Sequence, residues 1–299
     1  MTRLAVDPSP VQLVEGAGLL EGPVWNAGAL EFVSVNRGFV YRLEGDRLTV
    51  AVETGGSPNG QCIDGAGVRW VAQNGGTRVA SKSKIAAPPS LQRVEGGVVE
   101  AVAADGLAAP NDVAIGPSGL VWFTDPPWYP DDRIEPGNVY VYDPAEKTLT
   151  AAISGIEFPN GLAFSEDGRD LFLVETARQR VLRYRIDGSR ASFAGVHVEI
   201  GHGGPDGIAL ACDGSMIVAN GHADNIVVVD PDGRIAQIVD LSALGRSRQY
   251  FPTNVCFGAP GSGTIYATLA SGGRIFRFDT SLEGLPGLGG IGQQLENER

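Results

Sequence analysis

The chain has 299 residues, 42 of them glycine and 19 proline, with 43% hydrophobic residues and a formal net charge of −12. Glycine stands at about twice its usual ~7% and charged residues well below the usual ~25%, while lysine occurs only at Lys82, Lys84 and Lys147. That composition excludes coiled coils, helical bundles and disordered chains; the acidic balance disfavours nucleic acid, which is gripped by clustered Lys and Arg.

Taken in chain order, the first predicted element is a strand over 11–15. A short phrase then recurs, a polar residue usually after Pro, followed by small and apolar residues in alternation. It begins at Glu21-Gly22-Pro23-Val24-Trp25 and returns at Pro58-Asn59-Gly60, Pro110-Asn111-Asp112, Pro159-Asn160-Gly161, Pro205-Asp206-Gly207 and Pro252-Thr253-Asn254. Anchored on Glu21, Asn59, Asn111, Asn160, Asp206 and Thr253, the spacings are 38, 52, 49, 46 and 47. A period near 46 without helical patterning predicts an all-β six-bladed β-propeller with four antiparallel strands per blade. Within the third period, strands are predicted at 113–115, 120–123, 138–142 and 149–153. The fourth repeats the scheme at 171–174 and 181–185, and the fifth at 216–218 and 226–229. Asp-Gly pairs such as Asp213-Gly214 and Asp232-Gly233 mark hairpins. The sixth period supplies only about three strands before Asp279, so the N-terminal strand is expected to complete the last blade and close the ring. One domain over 1–299 is expected, with a core at about 11–280, an exposed loop at 81–90 and a loose tail at 281–299.

No apolar run approaches the ~18 residues of a membrane span, and residues 1–10 lack the basic and apolar regions of a signal peptide. Cys62, Cys212 and Cys256 are too far apart to suggest a disulfide framework or a zinc site. The expectation is a cytoplasmic protein with reduced thiols, acting on a small neutral or cationic molecule, with no nucleic-acid or membrane partner. The sequence gives no oligomeric state. Cys62 and Cys256, three residues after their anchors, are read as small core residues.

Equivalent positions of a propeller converge on its axis. The six anchors form an all-oxygen set with two carboxylates, and two buried carboxylates repel one another. A hard divalent cation relieves that cost, Ca²⁺ first. The lack of His or Cys among the anchors argues against zinc and copper, while Mn²⁺, Fe²⁺ and, in the wider divalent set, Zn²⁺ stay open.

The motifs Glu21-Gly22-Pro23-Val24-Trp25, Asn111-Asp112 followed by Phe123-Thr124-Asp125-Pro126, Pro159-Asn160-Gly161, Pro205-Asp206-Gly207 and Cys256-Phe257-Gly258 resemble the senescence marker protein (regucalcin)/gluconolactonase family, calcium-dependent six-bladed propeller lactonases. The resemblance spans roughly residues 11–280. It implies metal ligands at Glu21, Asn160 and Asp206, with Asn111 at the metal or the substrate; paraoxonases and diisopropyl fluorophosphatases use a similar set. One departure stands out. The sugar-lactone branch carries an Arg two positions before the third-blade Asn, where this chain has Ala109, which argues against gluconolactone. Asn59, Ala109, Trp128 and Tyr129 are therefore candidate substrate contacts, the last two in the 126–137 loop. His202 and His222 are candidates for the pocket rim.

The expected chemistry is metal-assisted hydrolysis of a lactone or related ester. The metal polarises the carbonyl, Asp206 takes the proton of the attacking water and Asn111 orients the substrate. No Gly-x-Ser-x-Gly elbow is present. The alternatives are a non-catalytic, metal-stabilised binding propeller and a phosphotriesterase-like or pathway-specific hydrolase using the same metal.

Overall fold

The computed structural model describes residues 5–77, 79–127, 135–244 and 249–285. Twenty-four strands build six four-stranded antiparallel sheets. Blade 1 holds β2 (Leu20–Asn26), β3 (Ala29–Ser34), β4 (Phe39–Glu44) and β5 (Arg47–Glu53). Blade 2 holds β6 (Pro58–Ile63), β7 (Arg69–Gln73), β8 (Ser90–Glu95) and β9 (Val98–Ala103). Blade 3 holds β10 (Val113–Ile115), β11 (Val121–Asp125), β12 (Pro136–Asp143) and β13 (Thr148–Glu157). Blade 4 holds β14 (Pro159–Phe164), β15 (Asp170–Glu175), β16 (Arg180–Asp187) and β17 (Arg190–Glu199). Blade 5 holds β18 (Pro205–Leu210), β19 (Met216–Asn220), β20 (Asn225–Val229) and β21 (Ile235–Asp240). Blade 6 holds β22 (Pro252–Phe257), β23 (Thr264–Leu269) and β24 (Arg274–Asp279), and β1 (Val11–Val14) supplies its outer strand.

The ring therefore closes as the repeat predicts, with β1 antiparallel to β24 through Val11 and Arg277, Gln12 and Phe276. The closure begins earlier than residue 11, because Val6 bridges Thr280 and is fully buried. Residues 281–285, expected to belong to a loose tail, are instead fastened. Gly284 bridges Ala211, and Leu285 N–H donates to the Leu210 carbonyl at 3.1 Å. The edge of β18 offered free backbone groups there, and the chain satisfies them. Residues 286–299 lie outside the described residues. The 81–90 segment is a largely exposed loop between β7 and β8, as expected.

Each blade is apolar on both faces because it packs between two neighbours, so the core is a set of layers between blades. Trp122, Val139, Leu162 and Leu173 fill the layer between blades 3 and 4. Leu20, Phe32, Ile275 and Val14 fill the layer across the ring closure. The smallest apolar cluster, Val33, Val35 and Val40, lies in blade 1. An ionic group crosses from there to blade 2, where the buried Glu31 carboxylate pairs with Arg69, which also donates to Gln61, and with Arg42 at 2.8 Å.

The innermost strands position the site. Pro opens β6, β14, β18 and β22, where its missing N–H breaks no ladder bond. Immediately afterwards five of the six inner strands slip register against their neighbours, between Glu21 and Val24, Pro58 and Gln61, Pro159 and Leu162, Pro205 and Ile208, and Pro252 and Asn254. An extra residue of this kind re-aims side chains. In blade 3, Asn111 N–H donates to the Thr124 carbonyl and Asp112 N–H to Thr124 Oγ1 at 2.9 Å, before β10 begins.

Deleting residues 1–14 removes the outer strand of blade 6 and exposes the β24 edge. The expected result is a fall in Tm on the order of 10 °C together with self-association, read by calorimetry and size-exclusion chromatography. An unchanged Tm refutes the role given to β1.

Candidate functional site

The six anchors stand at one end of the axial channel, at the start of the innermost strands. Glu21 is 5% exposed. Its Oε2 accepts from Gly22 N–H at 3.1 Å and from Asn254 Nδ2 at 3.2 Å. Burial, then the charges of Asp206 and Asp112, push its carboxyl well above the usual carboxylate range. The groups acting on it are two carboxylates, one amide and a backbone N–H; none is cationic. Asp206, in the next-to-last blade, is the most exposed of the three acids. Asn160 Nδ2 donates to Thr176 Oγ1 at 3.1 Å, and that hydroxyl donates onward to the Pro205 carbonyl at 2.7 Å. The amide is thereby pinned by its nitrogen, which leaves Oδ1 as its ligand end, and is tied to the residue preceding Asp206.

Not every anchor joins this set. Thr253 spends its hydroxyl on the Leu20 carbonyl at 2.8 Å and on Thr268 Oγ1 at 2.8 Å, so it latches blade 6 to blade 1. Asn111 and Asn59 are both buried. The Asn111 carbonyl accepts from Gly60 N–H at 2.6 Å, drawing blades 2 and 3 together. Ala109 is buried beside them, its N–H donating to Asp125 Oδ1 at 2.6 Å. Trp128 and Tyr129 lie outside the described residues. His202 is exposed, and its carbonyl accepts from Asn220 Nδ2. His222 is exposed too, with its ring edge-on to Phe251 at 4.8 Å.

Two residues that the anchors did not reveal share the channel with them, Asp112 and Asn254. At the position after each anchor the other four blades carry Gly22, Gly60, Gly161 and Gly207, so the two exceptions were the available signal. A Cβ at Gly60 would run into Asp112, and one at Gly207 into Asn254. The glycines are what let an acid and an amide cross the channel. Asp112 Oδ1 accepts from Val113 N–H at 2.9 Å, and burial raises its carboxyl to about 7.

Phe158 and Phe251 were also missed. They stand two residues before Asn160 and Thr253, with φ of 62° and 58°. Bulky residues rarely adopt that left-handed conformation, and where they do the surroundings must hold them. Asp224 Oδ1 does so for Phe251, accepting from Tyr250 N–H at 2.8 Å and Phe251 N–H at 2.9 Å. Backbone strain of this kind leaves no mark in composition or spacing. Cys62 and Cys256, read from the sequence as core residues, do pack against the core clusters, and each, half-buried, also lines a cavity at the opposite end of the channel.

Among the described residues no group of three or more His, Cys, Asp or Glu side chains is arranged to hold a metal. What fits a cation is a mixed set. Glu21 and Asp206 repel one another in a buried place, and amide oxygens flank them. Oxygen-only donors of this kind suit a hard divalent ion.

The family profile described as "SMP-30/Gluconolactonase/LRE-like region" matches residues 19–271. The chain is similar to the protein STRICTOSIDINE SYNTHASE-LIKE 3 of Arabidopsis thaliana, 33% identical over 138 residues, 42% of this chain and 35% of that one. It is also similar to lactonase drp35 of Staphylococcus epidermidis, 30% identical over 128 residues, 41% of this chain and 39% of that one. The matched regions thus span between a third and two fifths of those curated relatives. A crystal structure provisionally described as a gluconolactonase superposes with a TM-score of 0.75 at 25% identity, covering 95% of each chain.

Gly207→Ala places a methyl group against the Asn254 amide. It is expected to cost about 1–3 kcal/mol of stability, read as a lowered denaturation midpoint. Adding Asn254→Ala should restore part of the loss; no recovery in the double variant refutes the packing relation.

Proposed function

The chain belongs to the SMP-30/gluconolactonase/LRE-like family, and we propose that it is a metal-dependent hydrolase that opens a lactone or related ester. The observation that carries this reading is the pair of the buried Glu21 and the half-buried Asp206 at one mouth of the channel, with the charge of Asp112 also acting on Glu21 and no cation among the groups acting on it. Glu21, Asn160 and Asp206 would hold the ion, with Asn111 beside it; calcium suits the all-oxygen donors best. When bound, it supplies Lewis-acid polarisation of the substrate carbonyl.

The chain's own groups do the rest. Asp206, the acid most open to the mouth, takes a proton from water as the water oxygen attacks the carbonyl carbon. The ring C–O bond then breaks, and the leaving alkoxide takes that proton back from Asp206. Asn160, pinned by Thr176, keeps its oxygen fixed during the cycle. Asn111 orients the substrate from the third blade. Where the family's sugar-lactone branch carries an Arg, this chain has Ala109. Ala109 offers only a methyl group, and Phe158 and Phe251 stand near the anchors of blades 4 and 6. A lactone with an apolar body suits that mouth better than a polyhydroxylated one, because no long donor is present at Ala109 to satisfy the hydroxyls.

Two measurements test this reading. EDTA should lower Tm by several degrees, and Ca²⁺ should restore it, because an ion that binds only the folded state stabilises by mass action. An indifferent Tm refutes the metal assignment. Asp206→Asn should lower kcat by about 10²–10⁴-fold on a panel of alkyl- and aryl-substituted γ- and δ-lactones, with the fold intact by circular dichroism. Undiminished turnover in that variant refutes the role of Asp206. A chelator-sensitive Tm without turnover of any lactone, aryl ester or phosphotriester favours a non-catalytic propeller.

A further inference from the structure

We propose that the channel mouth opposite the carboxylate pair is a second binding site, for a small primary ammonium ion with a compact apolar body. A cavity of about 690 Å³ opens there, a size typical of small-molecule sites. Its wall includes one ring, the third residue after each anchor: Val24, Cys62, Ala114, Ala163, Ala209 and Cys256. None is larger than valine, and all six keep partial exposure although they stand on the innermost strands. Their strand neighbours Val113, Leu162, Ile208 and Val255 are buried between blades. Interiors elsewhere in proteins are filled to crystal density, so six small residues at one depth hold a sleeve open.

The inner end of that sleeve is polar. Asp112 and Asn254 both line it. Asp112 Oδ1 accepts from Val113 N–H at 2.9 Å, and Oδ2 accepts a long bond from Leu162 N–H at 3.4 Å. Each carboxylate oxygen retains capacity for another donor. Asp64 and Glu166 stand at the outer rim, and among the described lining residues there is no Lys, Arg or His. Residues 284 and 285, fastened to Ala211 and Leu210, form one side of the opening.

The chemistry selects the occupant. A carboxylate at the closed end, apolar walls and no basic side chain repel an anion and leave a neutral guest without a charge-assisted bond. A hydrated metal ion gains nothing from the walls, whereas an organic ammonium donates N–H to Asp112 while its body displaces water from the alanines and cysteines. The site is separate from the hydrolytic mouth, because the Asp112 and Asn254 side chains lie between the sleeve and Glu21.

The test is calorimetric titration of the intact protein, in excess Ca²⁺ at pH 7, with 2-phenylethylamine, 2-phenylethanol and phenylacetate. The amine should bind saturably, the alcohol about tenfold more weakly, and the carboxylate not at all. Amide chemical shifts should move at Cys62, Ala114, Ala163, Ala209 and Cys256. Ala209→Phe, which fills the sleeve, should abolish amine binding. The shift map on the unsubstituted protein keeps the proposal testable if that variant does not fold. Equal binding of all three probes, a hydrated channel that binds none, or shifts centred on His222 and Phe251 overturns the proposal.

Discussion

The repulsion between buried carboxylates at one end of the channel is the constraint from which the rest of the site follows. Glu21 sits where water is scarce and faces the charges of Asp206 and Asp112. Left alone, such a set is relieved by taking up protons; given a hard cation, it stays ionised and becomes a ligand cage. Glu21 and Asp206 stand on bulged inner strands locked between two blades, and Asp112 is held ahead of β10 by its N–H bond to Thr124 Oγ1. Glu21 receives two donors on one oxygen, and Asn160 is held by Thr176, whose hydroxyl reaches the neighbouring blade.

A second constraint is volume along the axis. Six inner strands leave little room, and what crosses the channel depends on which blades give up a side chain. Glycine at 60 makes space for Asp112, and glycine at 207 makes space for Asn254. Those two side chains divide the channel, with the oxygen-bearing anchors on one side and a sleeve of small residues on the other. Asn254 belongs to both halves, since it lines the cavity and donates to Glu21.

The anchor end of the channel is built by different means. Phe158 and Phe251 hold left-handed backbone conformations that bulky residues avoid. For Phe251 the cost is offset by the two N–H groups that Asp224 binds and by the edge-on ring of His222. Ala109 belongs to the same end and is anchored through its backbone to Asp125.

The sequence by itself determined the architecture, because propeller blades are local objects. Alternation of period two, Asp-Gly hairpins and a phrase returning every 46 or so residues are each readable within one blade. The missing fourth strand of the last blade was enough to predict how the ring closes. It also determined which six residues share one depth, while the choice of Glu21, Asn160 and Asp206 among them is what the family resemblance implies. Only the tertiary structure decided what those residues do there. Thr253 occupies an anchor position yet latches two blades, because its hydroxyl meets the Leu20 carbonyl of a blade more than two hundred residues away. Asn254 joins the channel because the register slip of blade 6 lets it face the axis beside Thr253, and Asp112 because it stands before β10 with its N–H held by Thr124 Oγ1; strict alternation assigns both to the other face. Cys62 and Cys256 are packing residues, as their strand pattern says, but they also line a cavity, since the space before them is set by the ring's diameter. Local periodicity fixes which way a side chain leaves its strand, and closure of the ring fixes what it meets.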